Sequence, residues 1–411
     1  MFLIIITGQN ALRRIPWLLT NLNNIQKVFG VVMILTAIGI FFDVDRKFQT
    51  MILNTFPQYG TNITKFEDNE YIRSQLEKNN AINDADNTPL PKLAIGRPIN
   101  EVSYPKGPPA PELIGGGKWF NSPPLEMSKL RGKVVLIDFW TYTCINCQRT
   151  LPYLRDWYEK YESKGLVIIG VHAPEFEFEK NPKNVEKAIK DFGLKYPVVQ
   201  DNAFATWKAY RNQYWPAKYL IDSEGNIRYT HFGEGAYDET EKAIQELLKE
   251  MGESDQLPQV SNPSYENFAN TPETYLGYWR IANFASSEKI KRDLLQQYTL
   301  SNKLKYDNFA FLGDWTVMEK YALPEKGAKL SLDFESKEVF LVMRPKNGKS
   351  GQVKILIDGK SEHLGEDVKD GIVIVDSDRL YKLIDLKKPG RHILDLEFID
   401  NNLELFAFTF G

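Results

Sequence analysis

The stretch Val134–Pro152 reads VVLIDFWTYTCINCQRTLP and joins an apolar run to a helical one through two cysteines. Val134–Phe139 has the length and composition of a buried β-strand, and the residues after Cys147 have helical character. The strand therefore delivers Cys144 to the start of a helix, where unpaired backbone N–H groups and the helix dipole favour thiolate over thiol. Cys144 is the expected attacking nucleophile. Cys147, one helical turn deeper, is placed to attack Cys144 and resolve a mixed disulfide. Asp138 stands among apolar residues near the strand end, where desolvation raises a carboxyl pKa toward general-base duty on Cys147. The plainer reading of Asp138 is a strand-end residue that caps a turn.

The whole composition narrows the function classes. With 411 residues and 43% hydrophobic content, the chain can bury two or three cores. A net charge of -3, with no basic stripe interleaved with aromatics, argues against nucleic-acid binding. Two cysteines are too few for a secreted disulfide framework. A bridge closing so small a loop contributes only about 2 kcal/mol, so its value is chemical rather than structural. The four histidines are not closely paired and there is no second cysteine pair, so neither a metal site nor a cofactor is expected.

Working outward, residues 107–252 alternate strand-like and helical runs, the pattern of an α/β domain with a largely parallel central sheet. Strands are expected at Leu166–Val171, Tyr219–Asp222 and Ile227–Thr230, and helices at Val185–Phe192 and Thr240–Lys249. A polar joint, 253–264, follows. In 265–411, seven short runs lie between Gly, Pro, Asp and Asn turns: Lys329–Phe334, Glu338–Arg344, Val353–Ile357, Gly371–Val375, Leu380–Leu386, His392–Phe398 and Leu403–Phe410. Their spacing predicts an all-β sandwich of the jelly-roll kind.

Upstream, 58–106 reads as a polar linker and 1–57 as a membrane anchor region, with a transmembrane helix at about 25–42. Arg13, Arg14 and Lys27 precede its uncharged core, while Asp43 and Asp45 follow. The positive-inside rule then puts everything after Phe42 outside the cytoplasm. A cleaved signal peptide competes with the anchor, but no small-residue cleavage pattern follows Phe42. The apolar opening Phe2–Ile6 reads as the tail of an earlier helix, which would make the chain a piece of something longer.

The Val134–Pro152 segment resembles thioredoxin-fold proteins in its strand Asp138, the aromatic Phe139-Trp140, the C-x-x-C and the helix proline Pro152. Tyr214-Trp215-Pro216-Ala217, before a strand, is similar to the cis-proline loop of that fold. The resemblance implies that Pro216 is cis and faces the sulfurs, and that Trp215 and Trp140 meet an extended substrate segment. More narrowly, TCINCQRTLPYL (Thr143–Leu154), GVHAPEFEFEK (Gly170–Lys180), TPETYLGYWR (Thr271–Arg280) and FAFTFG (Phe406–Gly411) resemble DipZ-type proteins, over nearly everything after Lys106. These join an electron-conducting membrane domain to a TlpA-like redoxin and a carbohydrate-binding-module-like β domain. The implied partners are protein disulfides or dithiols and a membrane electron donor of the cytochrome c biogenesis type. The implied location is the cytoplasmic membrane, with both C-terminal domains on its extracytoplasmic side. The chain departs from the pattern in showing one membrane helix and no membrane cysteine pair, so a separate protein supplies electrons or the chain is truncated.

Other candidates carry two readings each. His172 either sits by the sulfurs and tunes them or is a strand-end histidine satisfied by its neighbours. Glu175, Glu177 and Glu179 read as a solvated edge or loop. Thr141 has a peroxiredoxin-like offset from Cys144, but Ile137 holds the place where that family has proline, so a dithiol exchanger is favoured over a thiol peroxidase. Tyr275, Tyr278, Trp279 and Trp315 form either an aromatic platform for sugar rings or ordinary packing. A β domain that docks a glycan or a protein, with an incidental redoxin, is the alternative from another class. Direction of exchange stays open at this stage, because the fold spans about 150 mV of poise. The membrane-linked resemblance favours a reductant.

Overall fold

Seven consecutive buried residues, Val134–Trp140, form the middle of a six-stranded sheet. The computed structural model describes residues 104–114, 117–252, 257–263, 268–300 and 303–411. In chain order the first domain runs β1 (Trp119–Phe120), β2 (Val134–Trp140), α1 (Ile145–Tyr161), β3 (Leu166–His172), α2 (Pro182–Asp191), β4 (Val198–Gln200), α3 (Ala205–Ala209), β5 (Ala217–Ile221), β6 (Ile227–Phe232) and α4 (Tyr237–Glu250). β2 is apolar without alternation because both of its faces are covered. Val134, Leu136 and Trp140 pack on the side of Leu154, Trp157 and Ile244. Val135, Ile137 and Phe139 pack on the side of Tyr210 and Tyr219.

The strand order is β1-β4-β3-β2-β5-β6. Only the β2–β3 and β3–β4 pairs are parallel, so the sheet is mixed rather than largely parallel. The tight turn at Ser223–Asn226 makes β5 and β6 an antiparallel hairpin, and β5 enters antiparallel to β2. α2 begins three residues earlier than its apolar pattern. Asn181 accepts from the Lys183 N–H and Pro182 occupies the first helical turn, a start set by capping rather than by hydrophobic period.

The β domain contains β7 (Thr274–Tyr275), β8 (Leu295–Tyr298), β9 (Phe309–Val317), β10 (Ala322–Pro324), β11 (Lys329–Pro345), β12 (Gly351–Ile357), β13 (Val368–Lys369), β14 (Ile372–Val375), β15 (Arg379–Phe398) and β16 (Leu403–Phe410). Four of the predicted short strands merge into two long ones, β11 and β15. Their polar middles stay in the ladder, with Glu335 opposite Arg391 and Ser336 opposite Gly390. A register shift between Ser336 and Glu338 bends the pair there. The Arg391 guanidinium bridges Asp333 and Glu335, so charges that read as turn residues serve as cross-strand partners. β9 pairs with both β10 and β11, β10 with β16, and β16 with β11. These four strands close a ring within one ten-stranded hydrogen-bonded sheet, in which the bent β11 pairs β9 through its first half and β16 through its second.

The two domains share a core. Phe406 of β16 lies 5.0 Å from the rings of both Phe176 and Phe178. Phe340, Val342 and Leu380 join the same apolar cluster as Trp157 and Leu154. Arg149 of α1, almost completely buried, pairs with Glu338 at 3.1 Å and with Glu234 at 3.6 Å. The position of the β domain against α1 is thus held by apolar packing and a buried ion pair. The predicted helix at 25–42 and nearly all of the predicted linker lie outside the described residues. Among the described residues no helix is long and apolar enough to cross a membrane.

Candidate active site

Cys144 is the N-cap of α1, at the end of the loop that leaves β2. Its extended backbone turns the sulfur back over the helix, where it accepts from the Cys147 N–H at 3.2 Å. The Cys147 thiol points at Cys144, with the two sulfurs 2.6 Å apart; both are free cysteines. Cys144 is partly exposed and Cys147 is buried. Burial pushes the Cys147 thiol well up, and its hydrogen bond to Cys144 adds to the shift. The arrangement offers one accessible sulfur at a helix N-terminus and one concealed thiol that needs a base before it can attack.

A buried carboxyl, Asp138, lies near enough to push the Cys147 thiol further up. Asp138 is 1% exposed, and burial pushes its carboxyl up to about 7 against the pull of Lys218. Lys218 of β5 is directly opposite Asp138 in the antiparallel β2–β5 ladder and is itself fully buried. Burial lowers the Lys218 ammonium pKa, and Asp138 and Cys147 act against that shift. Neither side chain makes a hydrogen bond among the described residues. Two buried titratable groups without hydrogen bonds beside a thiol are costly to stability, a cost of the kind that clusters at functional sites. Lys218 was missed in the sequence because one lysine in AKYLI looks like an outward-facing residue. The signal was its place two residues after Pro216.

The loop before Cys144 is held by Glu179, which corrects its reading as a solvated residue. Glu179 is fully buried. It accepts from the Thr141 hydroxyl at 2.5 Å, the Thr143 hydroxyl at 2.6 Å and the backbone N–H groups of Glu175 at 2.6 Å and Phe176 at 2.9 Å. Burial pushes its carboxyl up to about 7, against these donors. Alternation with Phe176 and Phe178 concealed the difference, because a short helical turn at 177–180 swings Glu179 inward while Glu177 stays out.

Trp215 and Cys144 line one cleft of about 360 Å³. The Trp215–Pro216 peptide is cis, and the Trp215 indole N–H donates to the Ala173 carbonyl at 3.1 Å. Trp140, expected to meet substrate, is instead fully buried, edge-on to His172 at 5.2 Å. A side chain at Gly170 would come within 3.0 Å of its indole nitrogen, so the neighbouring strand leaves room for Trp140 by lacking a Cβ. His172 is buried between Trp140 and Tyr142 and near the Thr141 hydroxyl at 3.3 Å. Burial lowers its pKa to about 3, which keeps it neutral and away from the sulfurs' proton traffic. Trp315 is not part of an exposed aromatic platform. Trp315 is fully buried and stacked on Phe311 at 4.2 Å, so it has no free face. Tyr278 bonds Asp293, and Trp279, 62% exposed, carries the Arg280 guanidinium over its ring.

Residues 117–230 match the AhpC/TSA family, and residues 271–411 match the thioredoxin-like C-terminal domain family. DipZ of Mycobacterium bovis is 34% identical over 99% of this chain. The two are homologous. The chain spans 56% of that relative's length, about half. Within the first domain, the thiol-disulfide oxidoreductase YkuV of Bacillus subtilis is 28% identical over 34% of this chain and 95% of its own. The thiol-disulfide oxidoreductase ResA of Bacillus cereus is 31% identical over 30% of this chain and 68% of its own.

Proposed function

We propose that this chain is a membrane-anchored, extracytoplasmic thiol-disulfide oxidoreductase that reduces protein disulfides. The observation that carries the reading is the accessible Cys144 over the buried Cys147, with Asp138 and Lys218 buried behind them. The Cys144 thiolate attacks one sulfur of a substrate disulfide, and the other substrate sulfur leaves as a thiol after taking a proton. Asp138 accepts the Cys147 proton, and the Cys147 thiolate attacks Cys144, releasing the second substrate thiol. Two electrons pass to the substrate and the protein is left as the Cys144–Cys147 disulfide. A dithiol donor returns the electrons. The sequence resemblance to DipZ-type proteins implies a membrane protein of the cytochrome c biogenesis type in that role, and the charge bias around residues 25–42 supports the outward orientation.

The deciding measurement is the equilibrium reduction potential of the full chain in glutathione and dithiothreitol buffers, with Cys144→Ser and Cys147→Ser as controls. A value near that of thioredoxin, about -270 mV, fits a reductase. A value near about -120 mV makes the protein a disulfide donor, and no reversible couple removes the redox reading. The match to the AhpC/TSA family favours one second reading, a thiol peroxidase. Against it, the Thr141 hydroxyl is buried and committed to Glu179 rather than to Cys144. Consumption of hydrogen peroxide dependent on Cys144 would reverse the order of the two readings.

A further inference from the structure

The cleft in front of Cys144 has two walls from different domains. Cys144, Asn146 and Trp215 form one; Thr271, Tyr275 and Phe410 of the β domain form the other. A sulfur set between two walls is more open to a single extended chain than to a disulfide embedded in a broad folded surface, since a strand needs only about 4.8 Å of width in the plane of its hydrogen bonds.

Charge in this cleft is unbalanced. Glu175 receives the Arg280 guanidinium at 2.6 Å. The Tyr275 hydroxyl lies 2.7 Å from Glu175 and 2.7 Å from Glu273. One hydroxyl has one proton to donate, so two carboxylates share a single donor and a single guanidinium. Glu273 is the exposed member, and no ion pair to it forms among the described residues. Although the residue is exposed overall, its carboxyl end is crowded by the cleft and by Glu175 and is pushed up to about 7, so it carries its full charge only above that pH. An added cation beside Glu273 would supply the missing donor.

Resting on the exchange chemistry proposed above, we infer that the β domain is the specificity wall of the redox cleft. The partner it fits is an extended, disulfide-bearing polypeptide segment with a basic side chain next to the cysteine. Exchange itself stays with Cys144 and Cys147; the wall decides which disulfide is presented to them.

The test uses the reduced full chain and two otherwise identical peptides, each with one cysteine in mixed disulfide with 2-mercaptoethanol and either Lys or Glu beside it. At low salt and a pH well above 7, where Glu273 is ionised, the Lys peptide is expected to react about tenfold faster, the preference shrinking as salt rises. Glu273→Gln should reduce that preference to about twofold with the reduction potential unchanged, and Arg280→Ala should enlarge it by leaving both carboxylates uncompensated. A general folding defect would not give opposite signs. Equal rates for the two peptides, or a preference that survives Glu273→Gln, overturns the inference while leaving exchange intact. Failure of the unaltered protein to reduce either peptide or hydroxyethyl disulfide overturns the exchange reading, and the inference with it.

Discussion

Asp138 and Lys218 face each other across the β2–β5 ladder, both buried and neither hydrogen-bonded among the described residues. Their charges lie in a low-dielectric interior beside Cys147, where Lys218 and Asp138 act on each other and Asp138 pushes the Cys147 thiol further up. Removing the Asp138 carboxylate should slow release of the substrate from the mixed disulfide by roughly 100-fold. Asp138→Asn, followed by stopped-flow kinetics, is expected to leave the first attack by Cys144 nearly unchanged while the mixed disulfide accumulates. An equal slowing of both steps would place Asp138 outside the resolving reaction.

Lys218 lowers the Asp138 pKa, so its loss has a signed consequence. Lys218→Met should move the acidic limb of the resolving rate from about 7 to a higher pH. The maximal rate at high pH should fall less than in Asp138→Asn. A pH profile that stays in place would show that the lysine acts on neither the carboxyl nor the thiol.

The same carboxyl gives a stability signature. Its folded-state pKa, about 7, lies above the ordinary 3.8, so the folded state holds a proton that the unfolded chain has already released. Stability therefore falls as pH rises from about 4 to about 7 and levels off above. Glu179, raised from 4.5 to about 7, adds in the same sense. Thermal denaturation from pH 4 to 8 should show this slope, and Asp138→Asn should flatten it in part. The slope, rather than the absolute stability, is the readout, because the variant leaves Lys218 without its opposite charge.

Glu179 ties the loop before Cys144 to the segment after β3. Glu179→Ala would strand the Thr143 hydroxyl and the N–H groups of Glu175 and Phe176, and leave the Thr141 hydroxyl with His172 in its place. A loss of about 3–5 kcal/mol is expected, read from chemical denaturation. Hydrogen exchange should be faster at 141–144 than in β3. Protection unchanged at 141–144 would contradict the tethering role.

Phe406 tests the shared core. Phe406→Ala should cost about 3–5 kcal/mol, since its ring touches Phe176 and Phe178 across the domain boundary. Both domains should lose stability together, seen as coincident shifts of the Trp157 and Trp315 environments. Trp279→Ala, at an exposed ring, should change stability by less than about 0.5 kcal/mol.

The order of elements in the first domain was legible because its determinants are local. β2 is an unbroken apolar run, α1 follows a C-x-x-C at a capping position, and the β5–β6 turn has its own signature at Ser223–Asn226. The mixed direction of the sheet was not legible, because strand direction depends on where β5 packs. In the β domain, the charged middles of β11 and β15 were read as turns. Glu335 and Arg391 carry no local sign that they neutralise one another across 56 residues of chain.

For the candidate site, the sequence by itself determined the two sulfurs, the buried strand carboxyl behind them and the proline loop near them, all coded within short stretches of backbone. Only the tertiary structure decided that Lys218 opposes Asp138, that Glu179 turns inward, that Trp140 and Trp315 are core, and that Tyr275 and Glu273 share a cleft with Cys144. The physical reason is that burial and pairing are properties of what packs against a residue. Those neighbours come from strands and domains far along the chain, so no local pattern of hydrophobicity or charge can specify them.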